Sequence, residues 1–166
     1  MQMKRMLKFV GAVTILLGGF GLGWFFSATG TGQAVPVASL TELEREFTEQ
    51  MRNVVLVGHF TIEGRERRDG QPERYEISGV TKLEGDRWRF DARVKYGRVD
   101  VTLPVVVPIV WAGDTPMVSI TNFSIPGLGD EFGARVMFYD SRYAGTWDHG
   151  EYGGMMYGTI APADGM

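Results

Sequence analysis

The chain has 166 residues and a formal net charge of −3, with 44% hydrophobic and 22% charged residues, a balance that suits a folded chain and excludes a disordered one. It has no cysteine, which excludes a disulfide framework, a thiolate metal site, a cysteine nucleophile and a lipid-modified cysteine. Its 23 glycines, ten Phe, six Tyr and four Trp favour strands joined by tight turns over a helical bundle.

Residues 1–8 carry Lys4, Arg5 and Lys8 and read as a cytoplasmic, positively charged lead. Phe9–Phe26 (FVGAVTILLGGFGLGWFF) follows without a charge. As a helix it is about 27 Å long, close to the ~30 Å hydrocarbon core of a bilayer. Its length and its bulky Trp24-Phe25-Phe26 end favour an uncleaved signal anchor. A signal peptide cut near Gly32-Gln33-Ala34 is the alternative. Gly19 and Gly23 have GxxxG spacing, but in a segment so rich in glycine the match reads as chance. The expected location is therefore the cytoplasmic membrane, single-pass, with the C-terminal domain outside the cytoplasm; secretion after cleavage is the alternative. Beyond residue 33 the chain has 14 basic residues against all 20 acidic ones, so nucleic acid is not an expected partner.

Residues 27–39 are small, polar and proline-containing and read as a flexible tether. Residues 40–52 read as an amphipathic helix: Leu40, Leu43, Phe47 and Met51 share one face, and Ser39 with Glu42 or Thr41 with Glu44 makes a capping box. The helix is expected to cover one end of the domain.

From residue 53 to 161 the pattern has period two. Arg87–Tyr96 is the clearest strand, with Trp88, Phe90, Ala92, Val94 and Tyr96 on one face and Arg87, Arg89, Asp91, Arg93 and Lys95 on the other. A two-residue turn at Gly85-Asp86 would pair Leu83 with Trp88, Thr81 with Phe90, Gly79 with Ala92, Ile77 with Val94 and Tyr75 with Tyr96, all inward, and set Glu76 beside Lys95 outside. A turn at Gly97-Arg98 would pair Tyr96 with Val99, Val94 with Val101, Ala92 with Leu103 and Phe90 with Val105. The other expected strands are Val54–Glu63, Arg74–Leu83, Val99–Trp111, Met117–Phe123, Phe132–Tyr139, Arg142–His149 and Gly154–Ile160. Pro104 and Pro108 mark an edge, bulge or break in the fourth. Residues 162–166 form a tail. Eight strands with short links predict a closed antiparallel up-and-down barrel, because closure removes exposed edges. A two-sheet sandwich is the alternative.

This layout resembles the calycin superfamily of lipocalin-like, avidin-like and fatty-acid-binding barrels. A helix leads into strand one, Gly58-His59-Phe60 sits where lipocalins carry Gly-x-Trp, and Tyr143-Ala144-Gly145-Thr146-Trp147 is similar to the Gly-x-Trp strands of avidin-like barrels. Trp111–Pro116 and Tyr143–Gly158 also look similar to uncharacterised membrane-anchored bacterial proteins. The resemblance implies a barrel and no particular activity.

No P-loop, dinucleotide fingerprint or zinc motif is present. Ser141, His149 and Asp140 or Asp148 are the residue types of a hydrolytic triad, but without a nucleophile elbow Asp140-Ser141 reads as a hairpin turn. His59 and His149 fall on opposite faces and are not expected to share a metal. The stripe Arg87, Arg89, Arg93 and Lys95 reads as a solvated, ion-paired face. The expected role is non-enzymatic and without cofactor or metal. The barrel binds an apolar small molecule or lipid through Phe90, Tyr96, Phe138, Tyr143, Gly145, Trp147 and Met156, beside inner glycines at 58, 79, 145 and 158. The alternative is a solid barrel serving as a structural or protein-interaction module of the cell envelope, its protein partner unspecified.

Overall fold

Strands Val54–Phe60 (β1), Gln71–Lys82 (β2), Arg87–Tyr96 (β3), Val99–Ala112 (β4), Thr115–Ile125 (β5), Gly129–Tyr139 (β6), Arg142–His149 (β7) and Tyr152–Pro162 (β8) pair in chain order. Each is antiparallel to the next, and β8 returns to pair with β1, which closes the barrel and sets the sandwich aside. This computed structural model describes residues 32–64, 70–96, 99–125 and 129–163, with backbone alone for 94–96, 99–101, 103, 124–125 and 129–130. The expected membrane segment, residues 9–26, lies outside the described residues. Among these no helix is long and apolar enough to cross a membrane.

The β3–β4 hairpin has the expected register, from Tyr96 opposite Val99 to Phe90 opposite Val105. Phe132, Val136, Phe138 and Tyr143 are buried as the alternation requires. Asp140 and Ser141 form the two-residue β6–β7 turn, both with positive φ (47° and 58°), a conformation that fits a primed hairpin turn.

The β2–β3 hairpin departs from the expected pairing. Leu83 donates its N–H to the Arg87 carbonyl, so the loop is Glu84–Asp86 and not two residues. A bulge between Ile77 and Gly79 then shifts the ladder again. Lys82, Val80, Ile77 and Tyr75 face Trp88, Phe90, Ala92 and Val94, while Gly79 and Thr81 pair with Asp91 and Arg89 on the outer wall. The bulge lets Tyr75 and Ile77 stay inside although Thr81 and Gly79 do not, and Leu83, bridged to Ala34, is buried at 1% exposure. On the outer wall the register sets Glu76 opposite Arg93, 3.6 Å away, and Arg74 makes a second ion pair with it at 3.5 Å; the side chain of Lys95 lies outside the described residues.

The prolines of β4 produce a break in one seam. Ile109 sends its N–H to the Asp86 carbonyl, on the β3 side. Alternation aims the nitrogens of residues 104 and 108 at β5, and proline has no proton to donate there. Pairing of β4 with β5 accordingly runs from Ala112 opposite Thr115 to Ile109 opposite Val118 and stops at Pro108.

A helix α1 (Glu42–Gln50) precedes β1, with Thr41 and Glu44 forming its capping box. It is shorter than the expected 40–52 because Leu40 is extended and Met51 has left helical geometry. Phe47 and Met51 are buried at 2% and 1% exposure, whereas Leu43 is exposed at 38%. The Phe47 ring stands 5.4–6.2 Å from the rings of Trp88, Phe90, Trp111 and Phe138. Lys82 ties the helix to the mouth, with Nζ 2.9 Å from Glu44 and 5.2 Å from the Trp88 ring centre. Burial pushes the Glu44 carboxyl up, but the Thr41 N–H and the Lys82 ammonium outweigh it and hold the group below its ordinary value.

Candidate functional site: an open cup with a buried carboxyl

The inner wall changes character along the barrel axis. Around α1 most inward side chains are sealed: Val54, Ile77, Val80, Trp88, Val107, Ile109 and Phe138 are all buried. Toward the opposite mouth, where the β1–β2 and β7–β8 loops lie, the inward-facing Phe60, Glu73, Tyr75, Trp147 and Met156 are only half-buried. Among the described residues, one end of the barrel is plugged and the other forms a cup.

The cup's floor is built by a row of directly paired residues. Glu73 lies opposite Gly58, Gly58 opposite Gly158, and Gly158 opposite Tyr143. With no side chain on either glycine, the Tyr143 ring crosses both and its hydroxyl donates to Glu73 Oε1 at 2.6 Å. Tyr75, two residues along the same face of β2, donates to Glu73 Oε2 at 3.1 Å. Burial pushes the Glu73 carboxyl above its ordinary value. The two tyrosine hydrogen bonds and the charge of His59 on β1 oppose that shift without cancelling it. Both tyrosine hydroxyls are pushed up, by burial first and by Glu73 next. Among the described residues no lysine or arginine pairs with Glu73.

Nearer the mouth, Phe60 and Trp147 pack edge to face with ring centres 6.0 Å apart. The Trp147 indole N–H donates to the Thr61 carbonyl at 3.1 Å, and the Thr61 hydroxyl accepts from the Met155 N–H. These bonds fix the indole at the rim. Beside it a shallow pocket of about 250 Å³ is walled in part by Glu63, Asp148, Glu151 and Tyr152.

Of the seven residues expected to line a ligand site, five divide between two places. Phe90 and Phe138 belong to the aromatic plug around Phe47. Tyr143 forms the floor of the cup, and Trp147 and Met156 belong to its wall. Gly145 leaves no gap: an added Cβ would lie closer than 3.0 Å to the backbone of Arg135 and Val136. Tyr96 is placed on β3 by its backbone, and its side chain lies outside the described residues. Gly79, expected inside, has open space where a Cβ would be and sits on the outer wall.

The inner face also carries charge, which the expected lining residues do not include. Glu73 and Lys82 both point inward, Glu73 because β2 begins at Gln71 rather than Arg74. The signal was present in the alternation: Glu73 shares the parity of Tyr75 and Ile77. Ser141 lies in the turn before β7 and His149 at the far end of that strand, where it stacks on Phe132 at 3.8 Å, so the two do not form a triad. No family model, curated protein or solved structure matches the chain.

Protonation of Glu73 has a measurable consequence. Its folded-state pKa is raised, so its contribution is fully present below the ordinary carboxyl value near 4.5 and is lost as pH rises through the folded value. Among the described residues, His59, Tyr75 and Tyr143 are the titratable groups that act on it. Thermal midpoints measured from pH 4 to pH 8 should show Glu73→Gln gaining on the natural chain as pH rises, because the amide still meets both hydroxyls without carrying charge. A constant offset between the two chains across that range would show that Glu73 titrates as an ordinary surface acid.

Proposed function

We propose that the protein is a non-enzymatic binder, held at the outer surface of the cytoplasmic membrane by residues 9–26, whose open half takes an apolar small molecule or lipid. The observation that carries this reading is the exposure gradient along the inner wall. Among the described residues, the inward Val54, Trp88 and Ile109 beside α1 are buried, whereas Phe60, Trp147 and Met156 toward the other mouth are only half-buried, with Tyr143 and Phe132 buried among them. An eight-stranded barrel has room for one small guest where its side chains do not fill it. Lys4, Arg5 and Lys8 favour a cytoplasmic N-terminus, and the calycin-like layout is consistent with a carrier.

A specific observation favours the second reading, a module that works through its outer wall. Val110, Met117, Met137, Ala144, Tyr157 and His59 are paired one to the next across six strands and form a row without acidic or lysine/arginine side chains. Val110, Met137 and Tyr157 in that row are at least 40% exposed.

The test is native mass spectrometry of the full chain released from its own host's membranes. The expected spectrum shows protein carrying one apolar adduct at 1:1, and Met156→Trp, which adds bulk to the cup wall, reduces it. A protein that is always bare, and that takes up no added amphiphile, would overturn the cup reading and put the outer wall in its place. Gly145→Leu is unsuitable for this purpose because the Arg135 carbonyl occupies the space its side chain needs.

A further inference from the structure

We infer that Glu73 is the polar anchor of the cup and that it selects a guest with a cationic amine or quaternary ammonium head on an apolar tail. This rests on the cup reading and adds the chemistry of the head group. Three observations carry it.

The first is position. Glu73 faces the lumen, at the level where the inner wall passes from sealed to half-buried, so an apolar guest entering from the open mouth meets it last. A tail among Phe60, Trp147 and Met156 would hold its head at the floor of the cup only if the head entered first. The two ends of such a guest are thus assigned by the wall itself.

The second is charge. A carboxyl group in an apolar lumen is costly to leave ionised without a cation. The described part of the wall supplies hydroxyls and no lysine or arginine beside it. The tyrosines hold the group in place by donating to one lone pair on each oxygen, and a carboxylate oxygen can accept more than one bond. Among the described residues these two donors satisfy its geometry and no lysine or arginine compensates its charge. A cationic head would supply that charge.

The third is the company it keeps. Tyr75 and Tyr143 flank the carboxyl, and Phe60 and Trp147 stand one layer nearer the mouth. Aromatic faces around a carboxylate are the surroundings in which ammonium groups are held, because ring quadrupoles attract cations that are poorly hydrated. An anionic head such as a fatty-acid carboxylate would meet Glu73 as a like charge. A neutral alcohol would find acceptors without any charge to neutralise.

The test uses the full chain with three twelve-carbon probes present together at equal concentration: dodecyltrimethylammonium, dodecanol and dodecanoate. Native mass spectrometry resolves the three adducts in one spectrum. The expected order is ammonium over alcohol by at least tenfold, with dodecanoate weakest. Glu73→Gln should bring ammonium and alcohol to within about twofold while leaving the alcohol adduct in place, which also reports that the cup is intact. Equal binding of all three probes by the natural chain, or a preference for dodecanoate, would overturn the anchor while leaving the cup standing. Absence of every adduct would overturn the cup itself. The order among the three probes on the natural chain decides the matter even if the variant fails to fold.

Discussion

Phe47→Ala should destabilise the protein by about 3–5 kcal/mol, the range for removing a fully buried aromatic ring. Few single side chains have so many large partners. Phe47 is 2% exposed, and its ring meets two tryptophans and two phenylalanines that come from β3, β4 and β6. These partners cannot collapse into the space it leaves, because each is fixed to a different part of a closed wall. The cost therefore includes a cavity as well as lost transfer energy. A domain of ordinary stability has about 5–15 kcal/mol in total, so this one change takes a large share of it. Unfolding followed by tryptophan fluorescence reads the effect directly, since Trp88 and Trp111 both touch the missing ring. Leu43→Ala, on the same helix but 38% exposed, should change stability by no more than about 0.5 kcal/mol. Similar effects at the two positions would mean that α1 lies on the barrel as a surface helix and plugs nothing.

How much of this was legible in the sequence follows from where period two is interrupted. Arg87–Arg93 and Phe132–Tyr139 alternate without a break, and their inner faces are those the pattern indicates. The face of a strand after a bulge is not legible in this way, because one extra residue reverses every later side chain. At Ser78-Gly79 the sequence offers small residues on both sides of the alternation, so an unbroken ladder and a bulged one look alike. Only the barrel's curvature decides between them. Lys82 shows the consequence: as a lysine it reads as outward, yet it lies at the inner lip of the mouth because Glu44 of α1 waits there. That pairing joins two elements that no local pattern connects.

Glu73 was hidden for a different reason. A charged residue beside a glycine-rich, arginine-rich loop reads as part of the loop. Its parity with Tyr75 and Ile77 points it inward once the strand is extended to Gln71, but what it meets there becomes evident only when the row Glu73, Gly58, Gly158 and Tyr143 is assembled from four strands. The two residues that satisfy its oxygens lie at very different separations, Tyr75 two positions away and Tyr143 seventy. A long-range bond of this kind leaves no periodic trace. The glycines that make it possible did leave one, because Gly58 and Gly158 fall on the inner face of their strands, where an aliphatic side chain would otherwise be expected. Bare wall on an inner face indicates that something crosses it. Here the occupant is the protein's own tyrosine.

Gly58→Ala and Gly158→Ala should each abolish stable folding, a loss of more than about 4 kcal/mol that places them among the most damaging single changes a domain can suffer. At either glycine an added Cβ would lie closer than 3.0 Å to the backbone of the paired strand and to Tyr143. Neither obstacle can yield cheaply. The backbone atoms belong to the β1–β8 ladder that closes the barrel, and Tyr143 is 1% exposed with its hydroxyl committed to Glu73. Moving the ring away would strip Glu73 of one of its two donors inside the wall, which costs about 1–3 kcal/mol in addition to the steric clash. Gly79→Ala provides the contrast, since nothing lies within 4 Å of a Cβ there and its φ is not positive. It should be neutral or stabilising by about 0.4–1 kcal/mol, through the smaller conformational freedom of the unfolded chain. Circular dichroism and thermal unfolding of the three variants separate these outcomes. If Gly158→Ala folds with a near-natural midpoint, Tyr143 does not cross the glycine pair, and the floor of the cup must be built in another way.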